Sequence, residues 1–330
     1  MKHPEKVREE RASAALGRWA SIVGRQASCE PLAQPVLMPM HMAVDAMAYA
    51  VTVEGGERAT HFLKVYEPDM PEGIDFAATA AASRQAAALG LSPSLVAEDA
   101  ANGALLFELL PAPQWRMAMR DDLERREFRK AALAAKRAWH GSTRLTLSRT
   151  PFETISGYVQ KMNRLVGSQE RKPNALKVPL GFWALLGSIK RIDEGLRAAG
   201  CDSGPLHGEN AVSNLMMGPA HAVQLIDFDR AVNGDPHYDL GAFCNEMCSF
   251  EDEVAEVVEL YLGGADARVT ARAQLYMIVD DCLWGCWSLL AHYTSARGST
   301  VEFFKYAQMR LLRARYNLAQ WDLDALLRRA

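Results

Sequence analysis

The feature that most constrains this chain is a change of hydrophobic pattern about one third of the way along the sequence. Up to about residue 110, several short apolar runs are typical of strands, whereas from about residue 118 apolar residues recur at helical spacing. Pro111 and Pro113 lie between the two parts and interrupt both patterns. Strands and helices segregated in this way predict an α+β fold, with a small antiparallel sheet followed by a larger, mainly helical part.

The first part combines two predicted helices with several strands. Residues 4–26 predict an amphipathic helix, and residues 75–90 predict an Ala-rich helix that ends at Gly90. The segments with the pattern of strands are 36–38, 48–53, 61–66, 94–98 and 104–109. Residues 54–57, Glu-Gly-Gly-Glu, predict a hairpin turn between the second and third of them.

The second part predicts mostly helices. They span 119–139, 151–166, 181–199, 239–261, 267–294 and 299–329. One hairpin interrupts them, with strands at 215–217 and 222–227 and Gly218-Pro219 as its turn. We therefore expect an N-terminal helical extension over 1–35, a small lobe over 36–112 and a large lobe over 113–330.

Composition narrows the classes of function. Lys and Arg number 37 and Asp and Glu number 40, which gives a net charge of −3 and no global basic field for nucleic acid. No apolar run reaches the ~18–20 residues that span a bilayer. The charged start of the chain, without a following apolar region, does not resemble a secretory signal. We expect a cytoplasmic protein without a nucleic-acid or membrane partner; the oligomeric state stays open.

Two cysteine pairs leave two interpretations open. Cys244 and Cys248, like Cys282 and Cys286, lie four residues apart, which places each pair on one face of a helix. Four thiolates could hold zinc, but zinc ligands usually stand closer together, around turns. Small core residues are the favoured interpretation, because free Cys is among the most buried residue types.

The stretch from His207 to Asp239 contains residues suited to phosphoryl transfer. An apolar strand that ends in Asp227-Phe228-Asp229 forms a rigid base for carboxylates, and the hairpin would bring Asn214 close to Asp227. Oxygen ligands of this kind suit Mg²⁺. Lys64, in a predicted strand, would supply a positive charge for phosphates. Taken singly, such a Lys is usually an exposed strand residue and such an Asp-Phe-Asp a turn.

In their order and spacing, these residues resemble the aminoglycoside phosphotransferase and choline kinase family, which has the protein-kinase-like two-lobed fold. The similarity extends from about residue 36 to 316. The catalytic-loop motif stands here as His207-Gly208-Glu209, four residues, then Asn214. The metal motif stands as residues 225–229, Leu-Ile-Asp-Phe-Asp, and the next motif as residues 234–240, Gly-Asp-Pro-His-Tyr-Asp-Leu.

Later segments resemble the choline and ethanolamine kinase branch. They are Trp284-Gly-Cys-Trp287 and a Phe-x-x-Tyr-x-x-x-Arg pattern over 303–310. The resemblance implies an ATP- and Mg²⁺-dependent kinase that phosphorylates a small alcohol. It implies these site residues: Glu209, Asn214 and Asp227 as catalytic; Asn214, Asp227 and Asp229 on the metal; Lys64 on the α/β-phosphates; Phe107, Glu108, Leu109 and Leu110 as the adenine hinge; Trp284, Trp287, Asp281, Glu246 and Tyr238 around the acceptor; and His207 and Asp239 as structural.

The two tryptophans also have a physical interpretation of their own. Trp284 and Trp287 lie three residues apart on one helical face, and aromatic faces attract cations by ~0.5–2 kcal/mol per contact. Nearby acids and Tyr238 would suit an amino- or ammonium-bearing alcohol. The alternative, that both rings are ordinary core residues, stays open.

Three departures from the family pattern bear on turnover. Glu209 stands where the family has Asp, and its extra methylene moves the carboxylate. The phosphate loop over 39–46 contains no glycine. The helix after Lys64 has no acid at 77–83 to pair with it, and Glu72 and Asp75 are the nearest. The alternative function is therefore a nucleotide- or metabolite-binding pseudokinase, and a third is a scaffold with a vestigial cleft.

Overall fold

The computed structural model describes residues 4–32, 45–67, 74–168, 177–248, 250–295 and 301–330. It divides into two compact units. The first contains residues 1–135 together with 212–231, and the second contains 136–211 and 232–330. The strand predicted at 36–38, most of the loop at 39–46, and Glu72 lie outside the described residues.

The described elements are as follows. The helices are α1 (Pro4–Val23), α2 (Phe76–Ala88), α3 (Arg120–Leu123), α4 (Arg126–His140), α5 (Pro151–Ser168), α6 (Phe182–Ala199), α7 (Pro236–Met247), α8 (Glu251–Leu262), α9 (Ala267–Thr294), α10 (Phe303–Gln320) and α11 (Leu323–Arg329). The strands are β1 (Ala27–Pro31), β2 (Ala46–Val53), β3 (His61–Tyr66), β4 (Leu95–Asp99), β5 (Ala104–Glu108), β6 (Arg116–Met117), β7 (Gly204–Leu206), β8 (Leu215–Met217), β9 (Val223–Leu225) and β10 (Val232–Gly234).

The first unit contains a five-stranded antiparallel sheet in the order β1-β2-β3-β5-β4. The predicted strands at 48–53, 61–66, 94–98 and 104–109 are confirmed as β2 to β5, and Gly55 adopts a φ of +83° in the predicted hairpin turn. β1 was not predicted, because residues 27–31 contain two polar residues and a proline. It forms through backbone pairing with β2, from Ala27 opposite Val53 to Pro31 opposite Tyr49.

Helices cover both faces of this sheet. α1 packs against one face through a cluster that includes Leu16, Trp19, Leu63 and Val65. The other face carries a smaller cluster in which Tyr66 and Leu105 pack with Ala80 of α2. Because successive strand residues point to opposite faces, Lys64 and Tyr66 of β3 lie on the α2 face.

A second, three-stranded sheet completes the first unit, in the order β6-β8-β9. It contains the predicted hairpin, with Leu215 opposite Leu225. The connection is longer than the two-residue turn expected, since a short 3-10 turn spans Pro219–His221 and Ala220 has a φ of +50°.

The second unit is built around α9, a helix of 28 residues that is buried along most of its length. α5, α6, α7, α8, α10 and α11 all pack against it. α7 lies so close that a Cβ at Gly241 would stand 2.6 Å from the Ala273 carbonyl oxygen. A short antiparallel pair, β7 with β10, lies in the same unit.

Three segments that were predicted as single helices each form two helices. The segment 119–139 forms α3 and α4, 239–261 forms α7 and α8, and 299–329 forms α10 and α11. Side chains cap the new starts: Asp322 accepts a hydrogen bond from the Ala325 N–H, and Glu253 accepts one from the Phe250 N–H. Local capping bonds of this kind end one helix and begin the next, although the apolar period continues. Among the residues described, no helix is long and apolar enough to cross a membrane.

The packing of α1 on the sheet predicts a stability effect. Trp19 is 8% exposed and packs edge-on against the His61 ring at 4.9 Å between centroids. Trp19→Ala should lower the free energy of unfolding by ~3–5 kcal/mol, as for other buried aromatic truncations. Trp183→Ala is the matched control, because Trp183 is 59% exposed. Equal decreases in the free energy of urea unfolding for Trp19→Ala and Trp183→Ala would contradict a stabilising role for the packing of α1.

Candidate active site

A lysine and two carboxylates meet in the first unit. The Lys64 Nζ lies 2.7 Å from Asp227 Oδ1 and 2.7 Å from Asp229 Oδ2. β3 supplies the lysine, and the segment directly after β9 supplies both acids, more than 160 residues later in the chain. Lys64 and the Asp-Phe-Asp motif, which the sequence analysis assigned separately to phosphates and to a metal ion, are therefore in direct contact.

The hairpin fixes where these acids stand. The Ile226 N–H donates to the Asn214 carbonyl at 3.0 Å, and the Leu225 N–H donates to the Leu91 carbonyl at 2.7 Å. Asp227 follows with a φ of +70°, a left-handed conformation that is costly for a residue other than glycine. The buried Phe228 ring anchors the turn. The left-handed backbone at Asp227 therefore lies between two residues fixed by backbone hydrogen bonds and the buried Phe228.

Asp229 has a second partner that the sequence did not predict. The Tyr66 hydroxyl donates to Asp229 Oδ1 at 2.5 Å, and the Thr79 hydroxyl of α2 lies 3.5 Å from the Asp229 carbonyl oxygen. The only sequence signal is the position of Tyr66, two residues after Lys64 on the same face of β3. Asp75, one of the acids suggested as a partner for Lys64, is exposed and accepts a hydrogen bond from the Ala78 N–H at the start of α2.

Burial and charge act against each other in this cluster. Burial by itself would lower the pKa of Lys64, but the carboxylates of Asp227 and Asp229 outweigh it and raise that pKa well above 10.5. Burial, together with the neighbouring Asp227, raises the pKa of Asp229. Burial also raises the pKa of Tyr66, so its hydroxyl keeps its proton and remains a donor. The lysine is accordingly charged near neutral pH.

The predicted hinge follows directly from the sheet. Phe107 and Glu108 end β5, and Leu109 and Leu110 come next. The Glu108 N–H donates to the Ser94 carbonyl at 2.9 Å, and the Leu109 N–H donates to the Thr60 carbonyl at 3.0 Å. Adenine recognition by this segment would therefore use other backbone groups.

In the second unit, Asp239 organises the loop that carries Glu209. It is fully buried and accepts hydrogen bonds from the His207 N–H at 2.7 Å, the Gly208 N–H at 3.1 Å and the Asn210 Nδ2 at 2.9 Å. His140 Nε2 lies 3.1 Å from the same carboxylate. Burial alone would raise the pKa of Asp239, but these partners and nearby Lys136 lower it far below its usual range.

Lys136 and Asn210 extend this network and were missed by the sequence analysis. The Lys136 ammonium, buried in α4, donates to the Asn210 side-chain oxygen. Burial lowers the pKa of Lys136 to about 8, against the opposing effect of Asp239 and Glu246. A lysine inside an apolar helix pattern gives no sign that it is buried with a partner 74 positions away.

The acceptor residues suggested by the resemblance lie on α7 and α9 of the second unit, two helices that pack against each other. Trp284 and Trp287 are buried, and their rings meet edge to face at 5.5 Å between centroids. The Tyr238 hydroxyl donates to Asp280 Oδ1 at 3.1 Å. Glu246, near the end of α7, is half-buried.

Arginines from α10 occupy the two acids of α9. Arg310 bonds to Asp280 at 2.5 Å and Asp281 at 2.7 Å, and Arg313 forms two bonds to Asp281 at 2.7 Å. Asp281 is fully buried, and burial raises its pKa despite these arginines. Both acids therefore act in structural ion pairs between α9 and α10.

The cysteines do not assemble into a metal site. Within the described ranges, no group of three or more His, Cys, Asp or Glu side chains could hold a metal ion. Cys244, Cys282 and Cys286 are buried thiols, as the favoured interpretation expects, whereas Cys248 is half-buried. Asn214, one of the predicted metal ligands, is buried, and its carbonyl accepts from the Ile226 N–H, one residue before Asp227.

Comparisons with known proteins identify the family of this chain. The family described as the phosphotransferase enzyme family matches residues 43–276, and the chain belongs to that family. A comparison with curated protein sequences gives no significant match.

Solved structures show the fold. A choline/ethanolamine kinase family protein from Mesorhizobium loti has a TM-score of 0.75 at 18% identity, over 97% of this chain and 98% of its own. The choline kinase LicA from Streptococcus pneumoniae has a TM-score of 0.70 at 17% identity, over 94% and 99%. A macrolide 2'-phosphotransferase type I has a TM-score of 0.58 at 15% identity, over 91% and 96%. The chain has the protein-kinase-like fold that the sequence predicted.

The buried Lys136 predicts a pH-dependent stability. Its folded pKa of about 8 lies below its ordinary value of 10.5, so the unfolded chain binds more protons between these two pH values. Stability contributed by this group should rise with pH across that window, by ~3 kcal/mol. The unfolding free energy of wild type minus that of Lys136→Met should therefore increase by this amount between pH 8 and 10.5.

Lys130→Met is the control for this titration, because Lys130 is exposed on the same helix. Chemical unfolding at several pH values gives the measurement. A difference between wild type and Lys136→Met that stays constant with pH would contradict the lowered pKa.

Proposed function

We propose that this phosphotransferase is a small-molecule kinase. It would transfer the γ-phosphoryl group of ATP, with Mg²⁺, to the hydroxyl of an amino- or ammonium-bearing alcohol. The observation that carries the proposal is the contact of Lys64 with both Asp227 and Asp229. These two acids directly follow a hairpin whose last strand is hydrogen-bonded to Asn214 through the Ile226 N–H. A cytoplasmic location and the lack of nucleic-acid and membrane partners remain predictions.

The first unit supplies the groups that nucleotide binding requires. The charged Lys64 would contact the α/β-phosphates, since phosphoryl transfer depends on positioning and charge stabilisation. A structure of LicA in complex with AMP, which has a TM-score of 0.71 to this chain, supports nucleotide binding by the fold. The segment from Phe107 to Leu110 would lie beside the adenine.

The donor set at Asn214 and Asp227 fits Mg²⁺. Both residues offer oxygen, and Mg²⁺ is commonly held by one or two carboxylates together with substrate phosphates and water. The Asp227 side chain is 30% exposed, and the strained backbone at this residue is typical of a functional position. When bound, Mg²⁺ would offset the negative charge of the phosphates.

Glu209 would receive the proton of the acceptor hydroxyl. Its loop is held by the Asp239 hydrogen bonds, and Gly208 has a φ of +79°, which a glycine adopts without strain. The loop backbone is therefore fixed just before Glu209. The longer side chain would need to reach the hydroxyl from this fixed backbone.

The aromatic residues of the second unit would bind the positively charged end of the acceptor. Because Asp280 and Asp281 already bind Arg310 and Arg313, their charges are balanced within the fold. The Trp284 and Trp287 rings, with Glu246, would then supply the attraction for a cation. Asp281 would then stabilise the packing of α9 on α10 rather than contact the acceptor.

The metal assignment predicts a loss of turnover. Asp227→Asn removes a charged oxygen ligand and should lower ATP-dependent phosphorylation by ~100-fold or more, comparable to other losses of charge stabilisation. Asp202→Asn, at an exposed position, is the control. Turnover would be measured with a panel of amino alcohols, after a thermal-shift titration with ATP in the presence and absence of Mg²⁺. Full activity in Asp227→Asn would refute this ligand assignment.

The pseudokinase alternative rests on the three departures from the family pattern, of which the Glu at position 209 is the one that a single substitution can test. It expects ATP to raise the melting temperature without turnover of any acceptor. Glu209→Asp, which restores the residue of the family motif, separates the two functions. Turnover that appears only in Glu209→Asp would support the pseudokinase.

The proposed role of the aromatic pair predicts that its mutation affects acceptor binding but not nucleotide binding. Trp284→Ala should raise the KM of the acceptor by ~5-fold or more, because a desolvated cation–aromatic contact is lost, and should leave the ATP KM nearly unchanged. Trp183→Ala controls for general effects of tryptophan removal. Equal changes in both KM values would instead identify Trp284 as a core residue only.

A further inference from the structure

We propose that Asp229 and Tyr66 form the anchor of Lys64, in place of an acid from the helix that follows it, and that Asp229 is not a metal ligand. Tyr66 is then a positioning residue, which acts on the nucleotide through Asp229 and Lys64. The inference rests on the proposed function, in which Lys64 contacts the nucleotide phosphates.

Helix α2 provides no charged partner for the lysine. All of α2 lies in the described part of the chain, and its buried residues are Thr79, Ala80, Ala82, Ser83 and Ala86. Asp75, just before the helix, is committed to capping the Ala78 N–H at 2.9 Å. A buried ammonium group without a partner is strongly unfavourable, so its counter-charge has to come from another element.

Asp229 provides that counter-charge from the segment after β9. Its Oδ2 accepts from Lys64 at 2.7 Å and its Oδ1 accepts from the Tyr66 hydroxyl at 2.5 Å. Both oxygens therefore have a donor from β3. A carboxylate held at both oxygens keeps one orientation, and the ammonium group bound to it keeps one position.

The two aspartates of the motif differ in exposure. The Asp229 side chain is 2% exposed, whereas that of Asp227 is 30% exposed. A metal ion that also binds nucleotide phosphates needs a ligand open to solvent. Asp227 meets this requirement, and Asp229, enclosed by Lys64 and Tyr66, does not.

Tyr66 is itself held from two sides. Arg11 of α1 donates to the Tyr66 carbonyl oxygen at 2.6 Å, and the Phe76 ring lies 6.1 Å from the Tyr66 ring. The Lys64 Nζ also lies 5.0 Å from the Tyr66 ring centroid, within the range of a cation–π contact. The anchor therefore connects the lysine to both helices that cover the sheet.

The first measurement is the affinity for ATP without Mg²⁺, by calorimetry. Tyr66→Phe should weaken ATP binding by ~5- to 10-fold, as expected for the loss of a hydrogen bond to a charged group. In a Lys64→Met background the same substitution should change the affinity by less than ~2-fold, because the lysine that it positions is gone. Equal effects of Tyr66→Phe in both backgrounds would overturn the proposal.

Tyr276→Phe is the matched control. The Tyr276 hydroxyl also donates to a buried carboxylate, that of Asp235, at 3.0 Å. Tyr276 lies in the second unit, whereas the proposed phosphate-binding Lys64 lies in the first. This variant should lower the melting temperature and leave ATP affinity unchanged. A matching loss of ATP affinity in Tyr276→Phe would reduce the Tyr66 effect to general destabilisation and overturn the proposal.

The second measurement separates the two aspartates. The Mg²⁺ concentration that gives half of the ATP-dependent thermal stabilisation should rise by ~10-fold or more in Asp227→Asn. In Asp229→Asn it should stay within about 2-fold of wild type, since no metal ligand is removed. A rise in Asp229→Asn as large as that in Asp227→Asn would identify Asp229 as a metal ligand.

The third measurement needs no nucleotide. Acetic anhydride labelling, followed by mass spectrometry, should modify Lys64 several times faster in Tyr66→Phe and Asp229→Asn than in wild type, with exposed Lys130 as internal reference. Unchanged labelling would overturn the anchor whatever the nucleotide result. Faster labelling in a protein that binds no ATP would support the anchor and refute the proposed function.

Discussion

A buried ammonium group shared by two carboxylates is the interaction on which the first unit depends. Lys64 could not occupy the α2 face of the sheet without counter-charges, because an unpaired buried charge costs far more than folding can offset. The counter-charges come from Asp227 and Asp229, so the hairpin of β8 and β9 has to fold with the sheet rather than with the helices next to it in sequence. This pairing explains why residues 212–231 belong to the first unit.

The rest of the first unit supports this pairing. α1 covers one face of the sheet and holds the end of β3 through Arg11, and α2 covers the other face with small residues that leave room for the acids. The backbone strain at Asp227 is the local consequence, because its carboxylate has to reach Lys64 while Asp229, two residues on, reaches Tyr66 as well.

Sequence patterns could predict what is local. Alternating or continuous apolar runs gave β2 to β5, and the order of Lys64, Asn214 and Asp227 gave the phosphotransferase motif. β1 was missed because backbone pairing, rather than side chains, forms it. The helix breaks near Phe250 and Asp322 depend on capping bonds that compete with an unbroken apolar period. The Tyr66–Asp229 bond joins residues 163 positions apart, and a tyrosine in a strand carries no sign of such a partner.

Charge balance distinguishes the candidate residues of the first unit from those of the second. In the first unit, one ammonium group faces two carboxylates, which leaves one negative charge when both are ionised and suits an added hard cation. In the second unit, Asp280 and Asp281 face Arg310 and Arg313, and no net charge is left in that cluster. Under the proposed function, a cation bound beside Trp284 and Trp287 would therefore be attracted by the ring faces and by Glu246, whereas Asp280 and Asp281 are already balanced by arginines.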